Sequence, residues 1–225
     1  MMWNVPGGEG REPSPAAPGA ERGRQVASVL GFVLGDERGA EEFEGELARQ
    51  VQDWNLLKGI GSQVVLRSLD RPGAYLHLAF WQSPEHLFGV VRSDAACARL
   101  DRFGKLAAVE PGQAVTVGLL GGGPALAGAA HALLVRVTPA GPAAAFEAQF
   151  GALAGPFLYD PGCGGCLLLR YTVEPRAYLG LIWWHGATAY DTATRGDRFL
   201  ECERRLRHLA SGLAFERVRA VGGRS

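Results

Sequence analysis

The hydrophobic and polar positions along the chain fall into short segments with two different periods. The apolar run VASVLGFVL at Val26–Leu34 is rich in β-prone residues, as in a buried strand. The segment that follows carries large apolar residues at spacings of four, four and three: Phe43, Leu47, Val51 and Trp54. This spacing places their side chains on one face of a helix. The pattern therefore predicts a strand followed by a helix that packs on the sheet.

Turn residues divide the next part of the chain into a hairpin and a second helical region. The strand SQVVLRSL is followed by the turn Asp70–Gly73 and by the strand AYLHLAFW. Ser83–Glu85 then has the cap residue and the proline of a helix start, and this helical region is expected to break near Arg92–Asp94. After a turn at Pro111–Gly112, the strand AVTVGLL completes the order βαββαβ, the ferredoxin-like arrangement.

The same order occurs a second time along the chain. AYLHLAFW at Ala74–Trp81 recurs as AYLGLIWW at Ala177–Trp184, an offset of 103 residues. The offset continues without a gap until Val115 matches Val218, and the matches fall on apolar, glycine and proline positions. Because such residues set strand faces and turns, the repeat indicates a duplicated fold unit rather than a solenoid.

The predicted fold class is α+β, with two tandem ferredoxin-like domains that pair their sheets. The expected order is a disordered leader at 1–24, a first domain at 25–118, a linker at 119–130 and a second domain at 131–222. The leader is rich in proline and glycine, and the linker is rich in glycine and alanine.

Alternation along the repeated strand gives it two different faces. One face is wholly apolar in both copies, with Leu76 and Leu78 in the first copy, and we expect it to lie in the contact between the two sheets. The other face carries Tyr75, His77 and Trp81 in the first copy. We expect this second face to point toward the helices, where a pocket forms if the helices stand off from the sheet.

Composition favours a small neutral ligand. The chain has 225 residues, 47% of them hydrophobic, and its 23 basic residues equal its 23 acidic residues, so no global field draws it to nucleic acid or to an anionic membrane. No apolar run reaches the roughly 18 to 20 residues of a membrane span, and a cytoplasmic location is expected. Phosphate-cradling, dinucleotide-binding and metal-ligand motifs are absent from the sequence.

Cys163 and Cys166 form a CxxC motif, the pattern of redox and zinc sites. The sequence contains no second CxxC and no histidine near either cysteine. Small buried cysteines in a glycine-rich turn are the structural alternative, and the sequence favours it.

The apolar strand that ends in Trp81, the turn before it and the Ser-Pro-Glu helix start after it resemble the antibiotic biosynthesis monooxygenase family. The resemblance covers Val26–Gly118 and His131–Val221. That family has the dimeric α+β barrel fold, which both repeats together would form within one chain. The resemblance implies a cofactor-independent monooxygenase that oxidises an aromatic polyketide-type phenol or anthrone to a quinone with O2 in antibiotic biosynthesis. The alternatives are a polyketide cyclase on the same fold and a non-catalytic small-molecule-binding accessory protein.

The resemblance also implies which residues line a pocket: a strand-end Trp, an amide four positions before it, a Tyr six after it and an Arg about twenty after it. At these positions the repeats carry Trp81 and Trp184, His77 and Gly180, Leu87 and Tyr190, and Asp101 and Arg204. Arg99 and Arg102 flank Asp101. No single repeat has the complete set, so either repeat is a candidate for the working pocket.

The resulting candidates fall into two groups. The catalytic candidates are His77, Tyr190 and Arg204, and the ordinary pKa of histidine near 6.5 suits a base at neutral pH. The substrate-binding candidates are Trp81, Trp184, Tyr75, Tyr178, Trp54 and Gly180. Structural alternatives remain open: a hydrogen-bonded core histidine, core packing of the tryptophans, and a solvated helix face for Arg204. The expected partners are a small aromatic substrate and O2, with no cofactor and no metal, in a monomer with an internal pseudo-dimer or in a homodimer.

Overall fold

The computed structural model describes residues 25–121, 126, 129 and 131–221. The predicted leader at 1–24 lies outside the described residues, as does most of the predicted linker. Below, the first half means residues 25–121 and the second half means residues 131–221. Within these ranges, no helix combines the length and the hydropathy that crossing a membrane requires.

Both halves have the predicted order of elements. The first half consists of β1 Val26–Leu34, α1 Ala40–Asn55, β2 Ile60–Ser68, β3 Ala74–Trp81, α2 Pro84–Val91, α3 Asp94–Leu106 and β4 Ala107–Gly121. The second half consists of β5 His131–Pro139, α4 Ala143–Ala154, β6 Cys163–Tyr171, β7 Tyr178–Trp184, α5 Ala187–Arg195, α6 Asp197–Leu209 and β8 Ala210–Val221. The helix start after β3 is confirmed, because the Ser83 hydroxyl accepts the backbone N–H of His86.

The eight strands close into a single antiparallel barrel in the order β1-β3-β2-β8-β5-β7-β6-β4. Two seams join the halves: β2 pairs with β8 from Val65 to Ser68, and β4 pairs with β6 from Ala114 to Gly121. The predicted intramolecular α+β barrel is therefore confirmed. Closure pairs the strands of the two halves at both seams, so each sheet has a partner strand along part of both its edges.

The predicted faces of the repeated strand are also confirmed. Leu76, Leu78 and their second-half counterparts lie in one apolar cluster in the barrel interior, together with Trp183. Tyr75 and Trp81 lie in a different cluster, between the sheet of the first half and its helices. The site is therefore to be sought on the outer face of the barrel, beneath the helices, or at the barrel ends.

Strand β4 is longer than predicted. It begins at Ala107 rather than Ala114, and the predicted turn at Pro111–Gly112 lies inside the strand. The N-terminal part of β4 pairs only with β1, since its pairing with β6 begins at Ala114. A proline is tolerated there because an edge segment has no second strand to receive an N–H. The strand ends at Gly121, three residues beyond the expected limit of the first domain.

The last strand of the second half does not pair at the position that the 103-residue sequence offset predicts. Val29 and Ala132 are sequence counterparts, but their strand partners are Gly112 and Val218, which are 106 residues apart. A shift of three residues is odd, so it exchanges the two faces of the strand. Gly112 consequently lies on the interior side of the barrel, against Tyr171, whereas its sequence counterpart in β8 packs against helices.

Candidate functional site

A cavity of about 260 Å³ lies in the first half, between the outer face of β1 and β4 and the helices α1 and α3. Its walls are mostly apolar and include Leu30, Trp54 and Leu100. Four polar residues are part of the lining: Ser28, Gln50, Arg99 and Gln113. An apolar cavity with a few polar groups has the general composition of small-molecule sites.

Gln50 is the polar residue on the buried face of α1. The sequence predicts an apolar stripe that includes Val51, but the structure buries Gln50 in its place, beside Phe43, Leu47 and Trp54. Gln50 is only 1% exposed. A buried amide needs hydrogen-bond partners, and its Nε2 lies 2.9 Å from His77 Nδ1.

His77 is held between two amides and does not line the cavity. Gln63 uses its Nε2 to donate to the Val51 carbonyl and to Asn55 Oδ1, so its Oε1 is free to accept from His77 Nε2 at 3.1 Å. His77 Nδ1 then accepts from Gln50. This arrangement requires neutral imidazole, and burial lowers the pKa of His77 to about 4. The expectation that His77 titrates near neutral pH is therefore wrong.

Trp81 supports the cavity wall from behind. It is fully buried, and its Nε1 donates to Ser28 Oγ at 3.2 Å. Its ring packs edge-on against Trp54 at 5.5 Å, and Trp54 also lies 5.1 Å from the ring of His77. Of these residues, Ser28 and Trp54 line the cavity. Trp81 fixes their positions.

Arg99 on α3 brings positive charge to the cavity. Its Nη2 donates to Asp53 Oδ2, while its Nη1 is buried and has no hydrogen-bond partner among the described residues. A buried donor without a partner is costly, so this N–H favours a ligand oxygen. The family pattern points to Asp101 in this half, two residues away. From the sequence, Arg99 was identified only as a residue that flanks Asp101.

The corresponding region of the second half is closed. Only about 20 Å³ of space remains there. It is surrounded by aromatic residues from four different elements: Phe150, Phe157, Phe199 and Phe215. Phe150 and Phe199 replace Leu47 and Ala96 of the first half, and the shift of β8 brings Phe215 to the helix side.

The space expected beside Gly180 is also occupied. A Cβ atom at Gly180 would lie 2.8 Å from the ring of Phe150, so the ring takes the place that a ligand would need. The polar positions change as well, because Ser28 and Arg99 correspond to His131 and Cys202. The second half therefore offers neither the room nor the polar groups of the first.

The structure does not bring the second-half candidates to a shared cavity. Tyr190 is buried edge-on against Trp184 at 5.3 Å, and burial raises the pKa of Tyr190 to about 12. Arg204 is exposed on α6 and forms an ion pair with Glu201. Neither Tyr190 nor Arg204 lines the residual space. Tyr190 is thus part of the packed core of the second half, and the structural alternative of a solvated helix face fits Arg204.

Tyr75 and Tyr178 belong to a polar triad that the repeat preserves. Tyr75 OH donates to Glu44 Oε1 at 2.8 Å, and Arg67 pairs with the same carboxylate. The triad of the second half has the same geometry, with a distance of 2.7 Å from Tyr178 OH to Glu147 Oε1. Each triad ties the β-hairpin to the first helix of its half. A contact kept in both halves indicates a structural role.

A larger cleft of about 730 Å³ lies at the end of the barrel where the two hairpin turns meet. Tyr75, Tyr178 and Arg71 are among its lining residues. The guanidinium of Arg71 in this cleft is already paired with Glu216. The smaller cavity is the better candidate site, because it alone of the two is lined by Arg99, whose Nη1 has no hydrogen-bond partner among the described residues.

The CxxC motif has the features of the structural alternative. Cys163 and Cys166 are free thiols, and burial raises the pKa of Cys163 and raises that of Cys166 to about 11. Thiols of this kind stay protonated at neutral pH and are poor nucleophiles. No group of three or more His, Cys, Asp or Glu side chains within the described ranges has an arrangement suited to a metal ion.

Comparison with known proteins identifies the fold. No protein-family model and no curated protein sequence matches the chain. Among solved structures, a candidate monooxygenase from Fusobacterium nucleatum has a TM-score of 0.71 at 8% identity, covering 89% of this chain and 94% of its own. An anthrone oxidase-like protein has a TM-score of 0.67 at 15% identity, covering 89% and 93%.

A third structure connects the fold to the family suggested by the sequence. It is a ferredoxin-fold protein from Listeria monocytogenes related to antibiotic biosynthesis monooxygenases, with a TM-score of 0.55 at 9% identity, covering 89% and 96%. The fold of the chain is therefore that of antibiotic biosynthesis monooxygenase-like proteins. At these identities the similarity concerns the fold, and the reaction has to be argued from the cavity.

Proposed function

We propose that the chain is a cofactor-independent monooxygenase of antibiotic biosynthesis, acting on a phenolic or anthrone-type aromatic of polyketide origin. The reaction converts the activated CH2 group of the substrate to a ketone with O2. One oxygen atom enters the new carbonyl group and the other leaves as water. The substrate supplies all the electrons, so the protein needs to bind it, remove water around it and favour loss of its proton.

The unpartnered Nη1 of Arg99 is the observation that carries the proposal. A guanidinium beside a bound phenol or enol favours the deprotonated form and lowers the pKa of the ligand. In the mostly apolar cavity the effect is stronger than in water. The proton then passes to bulk water, and the electron-rich anion transfers an electron to O2.

Gln50 is suited to orient the substrate. Its Nε2 is occupied by His77, which leaves the amide oxygen to accept a hydrogen bond from a ligand hydroxyl. His77 acts in this proposal as a positioning residue. It remains neutral and holds the Gln50 amide in one orientation, and the Gln63 contact holds the imidazole.

The ring system of the substrate lies against Trp54 and Leu30. Both line the cavity, and an aromatic wall stacks with a flat ligand. The volume of about 260 Å³ lies slightly below the range of about 300–1,000 Å³ that is usual for ligand pockets, so we expect a compact flat substrate.

The test is oxygen uptake with 1,8-dihydroxyanthrone in air-saturated buffer. The purified protein, without added metal or flavin, should accelerate oxygen consumption and quinone formation in a one-to-one ratio. Heat-denatured protein is the control for spontaneous oxidation. Rates equal to this control would overturn the proposal. Closure of a poly-β-keto probe to a ring without oxygen uptake would point instead to a polyketide cyclase.

A further inference from the structure

The second half contributes one residue to the cavity of the first half. Val173 lies in the turn between β6 and β7, lines the cavity and is nevertheless 85% exposed. Its neighbour Thr172 holds the turn against β4, because its backbone N–H and its hydroxyl both donate to the Gln113 carbonyl, at 2.9 and 3.3 Å. Val173 therefore stands at the rim of the cavity on an anchored backbone.

The corresponding turn of the first half has a different role. The counterpart of Val173 is Asp70, whose carboxylate accepts from Arg217 Nε at 2.7 Å and from the Arg217 backbone N–H at 2.6 Å. This turn is thus clamped onto β8 by an ion pair. Valine at the same position in the second half cannot form such a clamp, and its side chain is left beside an open cavity.

Leu100 marks another part of the rim. It lines the same cavity from α3 and is 36% exposed. Exposed single apolar residues are common, but two that line one cavity from different halves of the chain form an apolar entrance. A ligand placed with its oxygen at Arg99 would extend its outer edge toward this entrance.

We infer that Val173 is a specificity-determining residue, through which the second half selects substrates with an apolar substituent at the ring edge that faces the entrance. The inference rests on the proposed function for the identity of the ligand. It adds that the substrate class is an alkyl-substituted phenolic aromatic, and that the site needs both halves to be complete.

The test measures binding rather than turnover. Quenching of tryptophan fluorescence gives the Kd of 1,8-dihydroxyanthraquinone and of its 3-methyl derivative for the wild type, Val173→Asp, Val173→Trp and the control Tyr159→Asp. Tyr159 is 90% exposed in the second half and does not line the cavity. We expect the wild type and the control to prefer the methyl derivative by about fourfold, the factor for one buried methylene. Val173→Asp should abolish this preference, and Val173→Trp should invert it by steric exclusion.

The outcomes separate the two proposals. An unchanged Kd ratio in both Val173 variants would overturn the role of Val173 while leaving the site in place. Binding with the expected ratios but without oxygen uptake would overturn the oxygenase alone. Failure of both probes to bind the wild type would overturn both, since the cavity would then not take phenolic aromatics.

Discussion

At the scale of single residues, Arg99 is the centre of the proposed chemistry. The Nη2 nitrogen of its guanidinium donates to Asp53, and the Nη1 nitrogen is buried without a partner among the described residues. In the proposed reaction, the contact with Asp53 holds the side chain in place, and Nη1 is the nitrogen that donates to an oxyanion. This geometry matches the preorganised donors that stabilise developing charge in enzymes.

We predict that Arg99→Met lowers kcat/KM for anthrone oxidation by about 10²–10³, the usual loss for one oxyanion donor. Arg204→Met, which changes the sequence-predicted arginine on the exposed face of α6, is the matched control and should keep wild-type activity. Steady-state oxygen uptake measures both, with thermal unfolding to verify that each variant is folded. A larger loss of kcat/KM in Arg204→Met than in Arg99→Met would place the working site in the second half.

His77 should make stability depend on pH. Its folded-state pKa of about 4 lies below its unfolded value near 6.5, because burial disfavours the charged form. The unfolded state therefore binds more protons between these values, and stability falls as pH decreases from about 6.5 to about 4.

We expect the wild type to lose about 3 kcal/mol more unfolding free energy than His77→Gln between pH 7 and pH 4. Urea denaturation at the two pH values measures the difference. The exposed His208, replaced by glutamine, controls for the substitution itself. Equal pH slopes for the wild type and His77→Gln would contradict the burial of a neutral imidazole.

At the scale of elements, the contrast between the two halves lies in how their helices pack on the sheet. In the first half, α1 and α3 stand off from β1 and β4 around the polar group of Gln50. In the second half, Phe150 on α4 and Phe199 on α6 occupy the equivalent space. The closed half behaves as a scaffold that completes the barrel.

Phe150 is the main filling side chain, since it is 4% exposed and its ring covers Gly180. We predict that Phe150→Ala lowers the free energy of unfolding by about 3–5 kcal/mol, as for other buried phenylalanines. The control Phe88→Ala, at a residue that is 40% exposed, should cost much less. Urea denaturation compares them. Under conditions in which Phe150→Ala is folded, it should keep the proposed oxygenase activity, because the proposed cavity lies in the other half.

At the scale of the whole molecule, the two seams of the barrel are not equivalent. Over the residues that the structure describes, the β4–β6 seam has the longer register, and the β2–β8 seam is flanked by charged pairs. Glu216 accepts three hydrogen bonds from Arg71 on the hairpin turn of the first half, and Asp70 pairs with Arg217 beside it. Ion pairs thus add to the backbone hydrogen bonds of this seam.

We predict that Arg71→Met lowers the unfolding free energy by about 1–2 kcal/mol, because it leaves the carboxylate of Glu216 largely buried without its bidentate partner. The value is at the low end for a broken buried pair, since Arg71 is half exposed. The double variant Arg71→Met/Glu216→Gln should recover part of the loss in a double-mutant cycle. Additive losses would show that the pair contributes nothing to the seam.

Local patterns were sufficient for the architecture. Alternation placed Leu76 and Leu78 inside the barrel, and turn residues at Asp70–Gly73 separated the hairpin strands, because both depend on nearest neighbours along the chain.

One further signal for the candidate site was present in the sequence. Gln50 lies seven residues after Phe43, on the buried face of the same helix, and a polar residue at such a position indicates a hydrogen-bonded or functional site.

The sequence alone determined the duplication and the order of elements, because these follow from periodicity and turns, and the closure into one barrel was predicted from the family resemblance. Only the tertiary structure decided which half holds a cavity. That depends on Phe150, Phe199 and Phe215 converging from separate elements and on a three-residue shift between strands that are distant along the chain. The lowered pKa of His77 has the same origin, since burial by neighbours from other elements sets it.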